Sequence, residues 1–253
     1  SPPSKHQPQA LTVEDCIVIC CSALGRDPPL PPLVKFPRTA HSFRPQGSKA
    51  IAEDDEVLPK DSAMLSLMND GETVVTLQEK VDGANLGISL LWSGRDILVQ
   101  NRSHYIHGGD HPQYGPLSAW IEMHREALLQ IPDSPSKRTS RHGWILYGEW
   151  LVARHSIPYH KLPGYFVAFH LYDIASKRFV SQERLHATLR GSGIPWVPCL
   201  GQQTFGPNCD IQSELMHLLE SESRFRKDSG KIEGIVFRIE KGDWLLHRSK
   251  LVC

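Results

Sequence analysis

A lysine set between a β-rich run and an Asp-Gly turn is the first place in this chain where residue type and spacing point to chemistry. Val74-Val75-Thr76-Leu77 runs into Glu79 and Lys80, Asp82-Gly83 turns, and Leu86-Gly87-Ile88-Ser89-Leu90 resumes an extended pattern. Lys80 is therefore presented at a strand end, in a turn clamped between strands. A lysine attacks phosphorus only as the free amine, and an ordinary pKa of ~10.4 leaves little amine at neutral pH. Nearby cations or a metal ion must shift that balance. Taken alone, Lys-x-Asp-Gly far more often describes an ordinary surface lysine beside a turn, so the neighbours decide.

Those neighbours are strand-borne and polar. Residues 86–92 and 97–100 flank Ser93-Gly94-Arg95-Asp96 as a hairpin, and Asn101-Arg102-Ser103 follows where Arg102 can reach back toward Lys80. Glu149 lies inside the aromatic and aliphatic run 144–151, where a carboxylate is costly unless it is paired or binds a metal. Glu233 sits in the first strand of a second hairpin, residues 232–239, a turn at Lys241-Gly242-Asp243, and 244–250. Its second strand carries Arg248 and Lys250 two residues apart, on one face. The set Lys80, Arg102, Glu149, Glu233, Arg248 and Lys250 suits nucleotidyl transfer. Two carboxylates can hold divalent metal against a triphosphate, and the cations neutralise the α-phosphate as pyrophosphate leaves in line. The same cations favour the neutral amine of Lys80.

The elements that must position these residues follow from pattern. Leu117, Trp120, Ile121, His124 and Leu128 recur at helical spacing, with Pro132 as the stop and His124 as a packed histidine, not a ligand. Residues 165–174 form a strand with Phe166, Phe169 and Tyr172. Ser181 caps a helix running to Arg190, and Asp210 caps one running to about Glu220, with Ile211, Leu215, Leu218 and Leu219 inside. Lys227-Asp228-Ser229-Gly230 is a loop, residues 133–142 a polar, basic loop, Glu53-Asp54-Asp55-Glu56 a solvated acidic face. Residues 1–10 read as disordered, 11–25 as one short element, and Pro28-Pro29-Leu30-Pro31-Pro32 as a stiff linker. The folded core is expected to start near Val34, with Lys35-Phe36-Pro37-Arg38-Thr39 extended and a loop at Arg44-Pro45-Gln46-Gly47. With no internal repeat and no βαβ rhythm, the fold class is α+β with mainly antiparallel sheets flanked by helices.

Composition bounds the partners. Lys and Arg together equal Asp and Glu at 28 each, so a nucleic acid must be met by a local basic patch and not by a global field. The six cysteines contain no CxxC pair, which favours reduced thiols in an intracellular compartment over a zinc site. The apolar run from Cys16 to Cys21 is too short to span a bilayer and lacks a basic leader, so no membrane partner is expected. The chain opens on Ser1 and closes at Cys253 just after a basic stretch, which reads as a piece trimmed from a longer protein.

In this order the motifs resemble the covalent nucleotidyltransferases, and among them the ATP-dependent, nick-sealing phage-type RNA ligases of the RNA ligase 2 family. Lys35-Phe36-Pro37-Arg38-Thr39 and Asp54-Asp55-Glu56-Val57-Leu58 match first. Glu79-Lys80-Val81-Asp82-Gly83-Ala84-Asn85 is similar to the nucleotidyl-lysine motif, Asn101-Arg102-Ser103 to the next, and Leu146-Tyr147-Gly148-Glu149-Trp150 to the third. Residues 156–173, Glu233-Gly234-Ile235-Val236 and Arg248-Ser249-Lys250 complete the match, over roughly 34–252.

The resemblance implies an ATP-grasp-like ligase fold and two segments: 1–33 as an N-terminal extension with a Pro-rich linker, and 34–253 as the adenylyltransferase domain. It implies Lys80 as the nucleophile that takes AMP from ATP, with Mg2+ or Mn2+ at Glu149 and Glu233. Glu79 would seat the adenine, Phe169 stack on it, Glu149 bind the ribose, and Arg102 lie near ribose or RNA. Arg248 and Lys250 would grip the α-phosphate, and Asp82, Gly83, Asn85 and Lys231 complete the nucleotide site. The substrate would be RNA with a 5′-phosphate and a 3′-hydroxyl, and the protein a monomer. His170 and Arg248 depart from the family pattern, which has an acidic residue and a lysine there. A third departure is that the family continues into a C-terminal domain, so a fragment that adenylylates itself yet seals poorly is one expectation. Other covalent nucleotidyltransferases (a DNA ligase or a GTP-using capping enzyme) and a non-catalytic nucleotide- or RNA-binding module are the alternatives.

Overall fold

The computed structural model describes residues 30–44, 51–52, 55–91, 96–131, 143–227 and 229–252. Expectations for residues 1–29, for Pro45-Gln46-Gly47, for Glu53 and Asp54, for Trp92 and the turn residues Ser93-Gly94-Arg95, for Pro132 and 133–142 and for Asp228 lie outside them.

Two antiparallel sheets carry the molecule. One has four strands in the order β7-β1-β8-β9, the other five in the order β3-β2-β4-β5-β6. Their ranges are β1 Val75–Lys80, β2 Ala84–Leu90, β3 Ile97–Gln100, β4 Trp144–Trp150, β5 Phe166–Asp173, β6 Arg178–Phe179, β7 Cys199–Gln203, β8 Gly234–Lys241 and β9 Trp244–Val252. Among the described residues four α-helices flank them: α1 Ala63–Met68, α2 Leu117–Leu129, α3 Gln182–Leu189 and α4 Ile211–Leu218. The α+β class with antiparallel sheets read from the sequence is the observed one.

Each sheet has its own core. Leu86, Ile88, Leu146, Trp150 and Phe166 of the five-stranded sheet pack against Trp120 and Leu128 of α2 and Leu185 and Leu189 of α3. Val75, Leu77, Ile235 and Phe237 of the four-stranded sheet pack against Met64 and Met68 of α1 and Leu215 of α4. The caps act locally as their residue types dictate: the Ser181 side chain accepts from the Arg184 amide, and that of Asp210 from the Ser213 amide. His124 stacks on Trp120 with ring centroids 4.3 Å apart and meets the Trp120 carbonyl through Nδ1.

The chain passes from one sheet to the other at the Asp82-Gly83 turn. β1 is the interior strand between β7 and β8, buried along nearly its whole length, and β2 begins the second sheet between β3 and β4. A turn joining sheets opens a cleft where a turn within one sheet would close a hairpin. A third apolar cluster, Val81, Leu151, Val167, Val197 and Phe225, fills the space beneath it.

Residues 30–44 form no named strand, yet they bind both sheets. Tyr147 Oη and Gln100 Nε2 both donate to the Val34 carbonyl, at 2.7 Å each, on the five-stranded side. On the other side the Lys250 amide donates to the Ala40 carbonyl and the Ser42 amide to the Lys250 carbonyl, which covers the edge of β9. No described helix is long and apolar enough to cross a membrane.

Candidate active site

A cleft of about 530 Å³ opens between the sheets, and Lys80, at the last position of β1, lines it. The Lys80 Nζ lies 2.5 Å from Glu233 Oε1, and both side chains keep some solvent contact. Glu233 precedes β8 directly, and the register that sets Lys80 opposite Gly234 delivers the pair. The neighbouring cations expected beside Lys80 are present in part: Lys250 and Arg102 line the same cleft. Burial lowers the Lys250 pKa, and the charges of Lys80 and Arg102 lower it further.

Glu149 enters from β4, paired across the ladder with Asn85 of β2. Both line the cleft, and both hold a buried side-chain atom without a partner, Glu149 Oε2 and Asn85 Nδ2. Burial pushes the Glu149 carboxyl up to about 8, although Lys80 and Arg102 pull it down. Glu233 also keeps one buried oxygen unpartnered, Oε2, and its pKa is raised, again by burial. Two orphaned carboxylate oxygens are the hard donors that Mg2+ or Mn2+ takes when substrate phosphates complete its shell. Among the described residues no group of three His, Cys, Asp or Glu side chains could hold an ion alone. The residues present therefore fit a divalent ion shared with a triphosphate, with Glu149 and Glu233 as the protein's donors.

Phe169 reaches the cleft through an irregularity. The β4–β5 register shifts between Tyr147 and Gly148, so that Tyr147 faces His170 and Gly148 faces Ala168, and Phe169 is left without a partner. The bulge lets adjacent residues, Phe169 and His170, both line the cleft, with Val236 of β8 also on its wall. His170 is fully buried. Its Nδ1 lies 2.6 Å from Nη1 of Arg238, whose guanidinium is itself buried and paired to Glu240 at 2.6 Å. Burial and then the Arg238 charge hold His170 well below its usual pKa, so it stays neutral and accepts from the arginine.

The structure turns three of the sequence-derived candidates elsewhere. Arg248 is absent from the cleft lining. Its guanidinium stacks 4.3 Å from the Phe36 ring and 4.7 Å from the Phe179 ring and donates to the Pro37 carbonyl. Alternation puts Arg248 and Lys250 on one face, but the strap at Phe36 and Pro37 covers only Arg248. Lys231 is half-exposed and ion-paired with Glu220, also outside the cleft lining. Glu79 does line the cleft, while its buried carboxylate accepts from Ser223 Oγ at 2.5 Å and from the Arg224 amide. Asp82 and Gly83 line it too, with the Asp82 carboxylate turned to Ser156.

Sequence reading singled out neither Tyr159 nor Ser156 as site residues, though both hold the turn behind Lys80. Thr39 and Phe36 of the strap also line the cleft. Phe36 stands edge-on to Phe169 at 5.2 Å between centroids.

The fold has counterparts among solved proteins. The RNA ligase of Naegleria gruberi, in a lysine-to-alanine variant with ATP and Mn, aligns with a TM-score of 0.59 at 17% identity, covering 92% of this chain and 64% of that one. The same ligase with PPi gives 0.58 at 18% identity with the same coverage. A lysine-to-methionine variant with AMP and Mn gives 0.55 at 15%, covering 74% and 52%. This chain thus spans about 64% of the length of the first of these structures. No curated protein matches it in sequence. Residues 73–252 match the family model described as RNA ligase, a span that includes Lys80, Glu149, Glu233 and Lys250, and the chain belongs to the RNA ligase family.

Proposed function

We propose that the protein is an ATP-dependent RNA ligase that takes AMP from ATP onto Lys80, passes it to an RNA 5′-phosphate and seals that end to a 3′-hydroxyl. The observation that carries this reading is the contact of Lys80 with Glu233 at the mouth of a cleft that also holds Lys250, Arg102 and Glu149. In the first step the Lys80 nitrogen forms a bond to the α-phosphorus, the bond from phosphorus to the bridging oxygen breaks, and pyrophosphate leaves. Glu233 Oε1, 2.5 Å from the Lys80 Nζ, stands where it can take the proton that the ammonium must lose. Lys250 meets the α-phosphate charge, and Phe169 and Val236 flank the base. Glu149 Oε2 is free to accept from a ribose hydroxyl or to meet the ion, and the Asn85 Nδ2 amide is free to donate to the nucleotide. A divalent ion bound there supplies charge neutralisation to the triphosphate.

A sealing assay tests the whole sequence of steps. With ATP and manganese, 5′-phosphorylated RNA bearing an adjacent 3′-hydroxyl is expected to become AMP-capped or joined, and the Lys80→Ala variant to do neither from ATP. Joining by Lys80→Ala at the wild-type rate would contradict the role of Lys80, and activity with GTP alone would move the reading to a capping enzyme.

A further inference from the structure

The turn that carries Lys80 is held by a loop that has no regular secondary structure. Between β4 and β5, residues 151–165 hydrogen-bond to the turn through two side chains, those of Tyr159 and Ser156. The Asp82 amide donates to Tyr159 Oη at 2.8 Å, and the Asp82 carboxylate accepts from the Ser156 amide at 2.8 Å and from the Ser156 hydroxyl. Burial alone would raise the Asp82 pKa; the two Ser156 donors and Lys80 overcome it and hold the carboxyl below its usual value. Tyr159 is then anchored against Phe225, edge-on at 6.3 Å, and the His160 and Lys161 amides donate to the Phe225 carbonyl. That carbonyl belongs to the same short segment whose Ser223 and Arg224 hold the Glu79 carboxylate.

The contacts close a ring. Glu79 on one side of Lys80 is fixed by Ser223, Asp82 on the other by Tyr159 and Ser156, and the two holders are joined through Phe225. The holders Ser156, Tyr159, Ser223 and Phe225 are absent from the cleft lining. The ring bears on where the Lys80 backbone sits, and a displacement of about 1 Å at a reacting group can cost on the order of a hundredfold in rate.

We infer that Tyr159 and Ser156 are positioning residues for the nucleophile, fixing the Lys80 turn so that attack on the α-phosphorus is in line. The inference rests on the adenylylation reading above. It makes the clamp specific to the chemical step, since the base and ribose walls of the cleft are built from other strands.

The test follows AMP adduct formation over time by intact mass at a series of ATP concentrations, for the wild type, Tyr159→Phe, Ser156→Ala and Ser156→Thr. Melting temperature is recorded for each. Tyr159→Phe, which keeps the ring on Phe225 but removes the acceptor of the Asp82 amide, is expected to form the adduct at least tenfold more slowly at saturating ATP. The half-saturating ATP concentration is expected to stay within about twofold. Ser156→Ala is expected to do the same, and Ser156→Thr, which keeps the hydroxyl, to recover most of the rate. Unchanged saturating rates in Tyr159→Phe and Ser156→Ala would overturn the proposal, as would a loss confined to ATP affinity or a loss that Ser156→Thr shares in full. A wild type that forms no adduct would take down the adenylylation reading itself, and this inference with it.

Discussion

Burial pushes the Glu149 carboxyl up to about 8, and Oε2 has no partner. Without nucleotide or metal the folded chain therefore keeps a proton on Glu149 between about pH 4.5 and 8, which the unfolded chain has already lost. By linkage this contribution to stability is fully present below pH 4.5, falls as pH rises through that window, and is flat above it. The Glu149→Gln variant lacks this titration. Its melting temperature is expected to gain on the wild type steadily from pH 5 to pH 8 and to hold a constant lead above. A constant difference across that range would show that Glu149 is not a buried acid in the free protein. Glu149 was legible as a candidate because a carboxylate inside an apolar strand needs a reason, and the fold places it on the cleft wall. The carboxylate of Glu79 was harder to read, since its partner Ser223 is 144 positions away.

Among elements, strands and helices with strong periodicity or a capping residue were readable, and their ends fell close to expectation. β1, β4, β5 and the β8–β9 hairpin followed from apolar runs and turn residues, and α3 and α4 from Ser181 and Asp210. α1 was missed although Ser62 caps it and Met64 and Met68 lie one turn apart, a signal that could have found it. β7, Cys-Leu-Gly-Gln-Gln, carries no strand signature and exists because the open edge of β1 needs a partner. The bulge that brings Phe169 and His170 together to the cleft is a property of two strands paired, so one strand's residues do not reveal it. The Asp82-Gly83 turn has its own steric demand. A Cβ on Gly83 would lie 2.7 Å from Leu151 Cδ2 and 2.8 Å from the Trp150 carbonyl oxygen. Because the second of these is backbone, Gly83→Ala must move the turn. A cost of about 1–3 kcal/mol in stability is expected, with a fall in AMP labelling that persists at temperatures where the variant is fully folded. Wild-type labelling by Gly83→Ala would detach the turn's geometry from the chemistry.

At the scale of the molecule, the proposed function rests on two sheets meeting along one cleft, and the strap at residues 30–44 binds both. It lies before residue 73, where the family match begins, yet Phe36 and Thr39 line the cleft and residues 40–42 cover the strand that carries Lys250. Phe36 is 9% exposed and packs on Ile145 and Tyr147 as well as beneath Arg248. Phe36→Ala is expected to cost about 3–5 kcal/mol, seen as a lower midpoint in urea, and to reduce labelling at saturating ATP. A variant with an unchanged midpoint would mean that the strap is a passenger. Sequence marked this segment as the start of the core, but only the fold shows that it joins the halves.

The central claim is that Lys80 is the nucleophile and ATP the donor. Its most direct test is the intact mass of the protein after incubation with ATP or with GTP in magnesium or manganese, followed by peptide mapping. One added AMP from ATP alone, located on Lys80 and lost in Lys80→Ala, is the predicted result. An adduct on another residue, a GMP adduct, or no adduct with either nucleotide would contradict it.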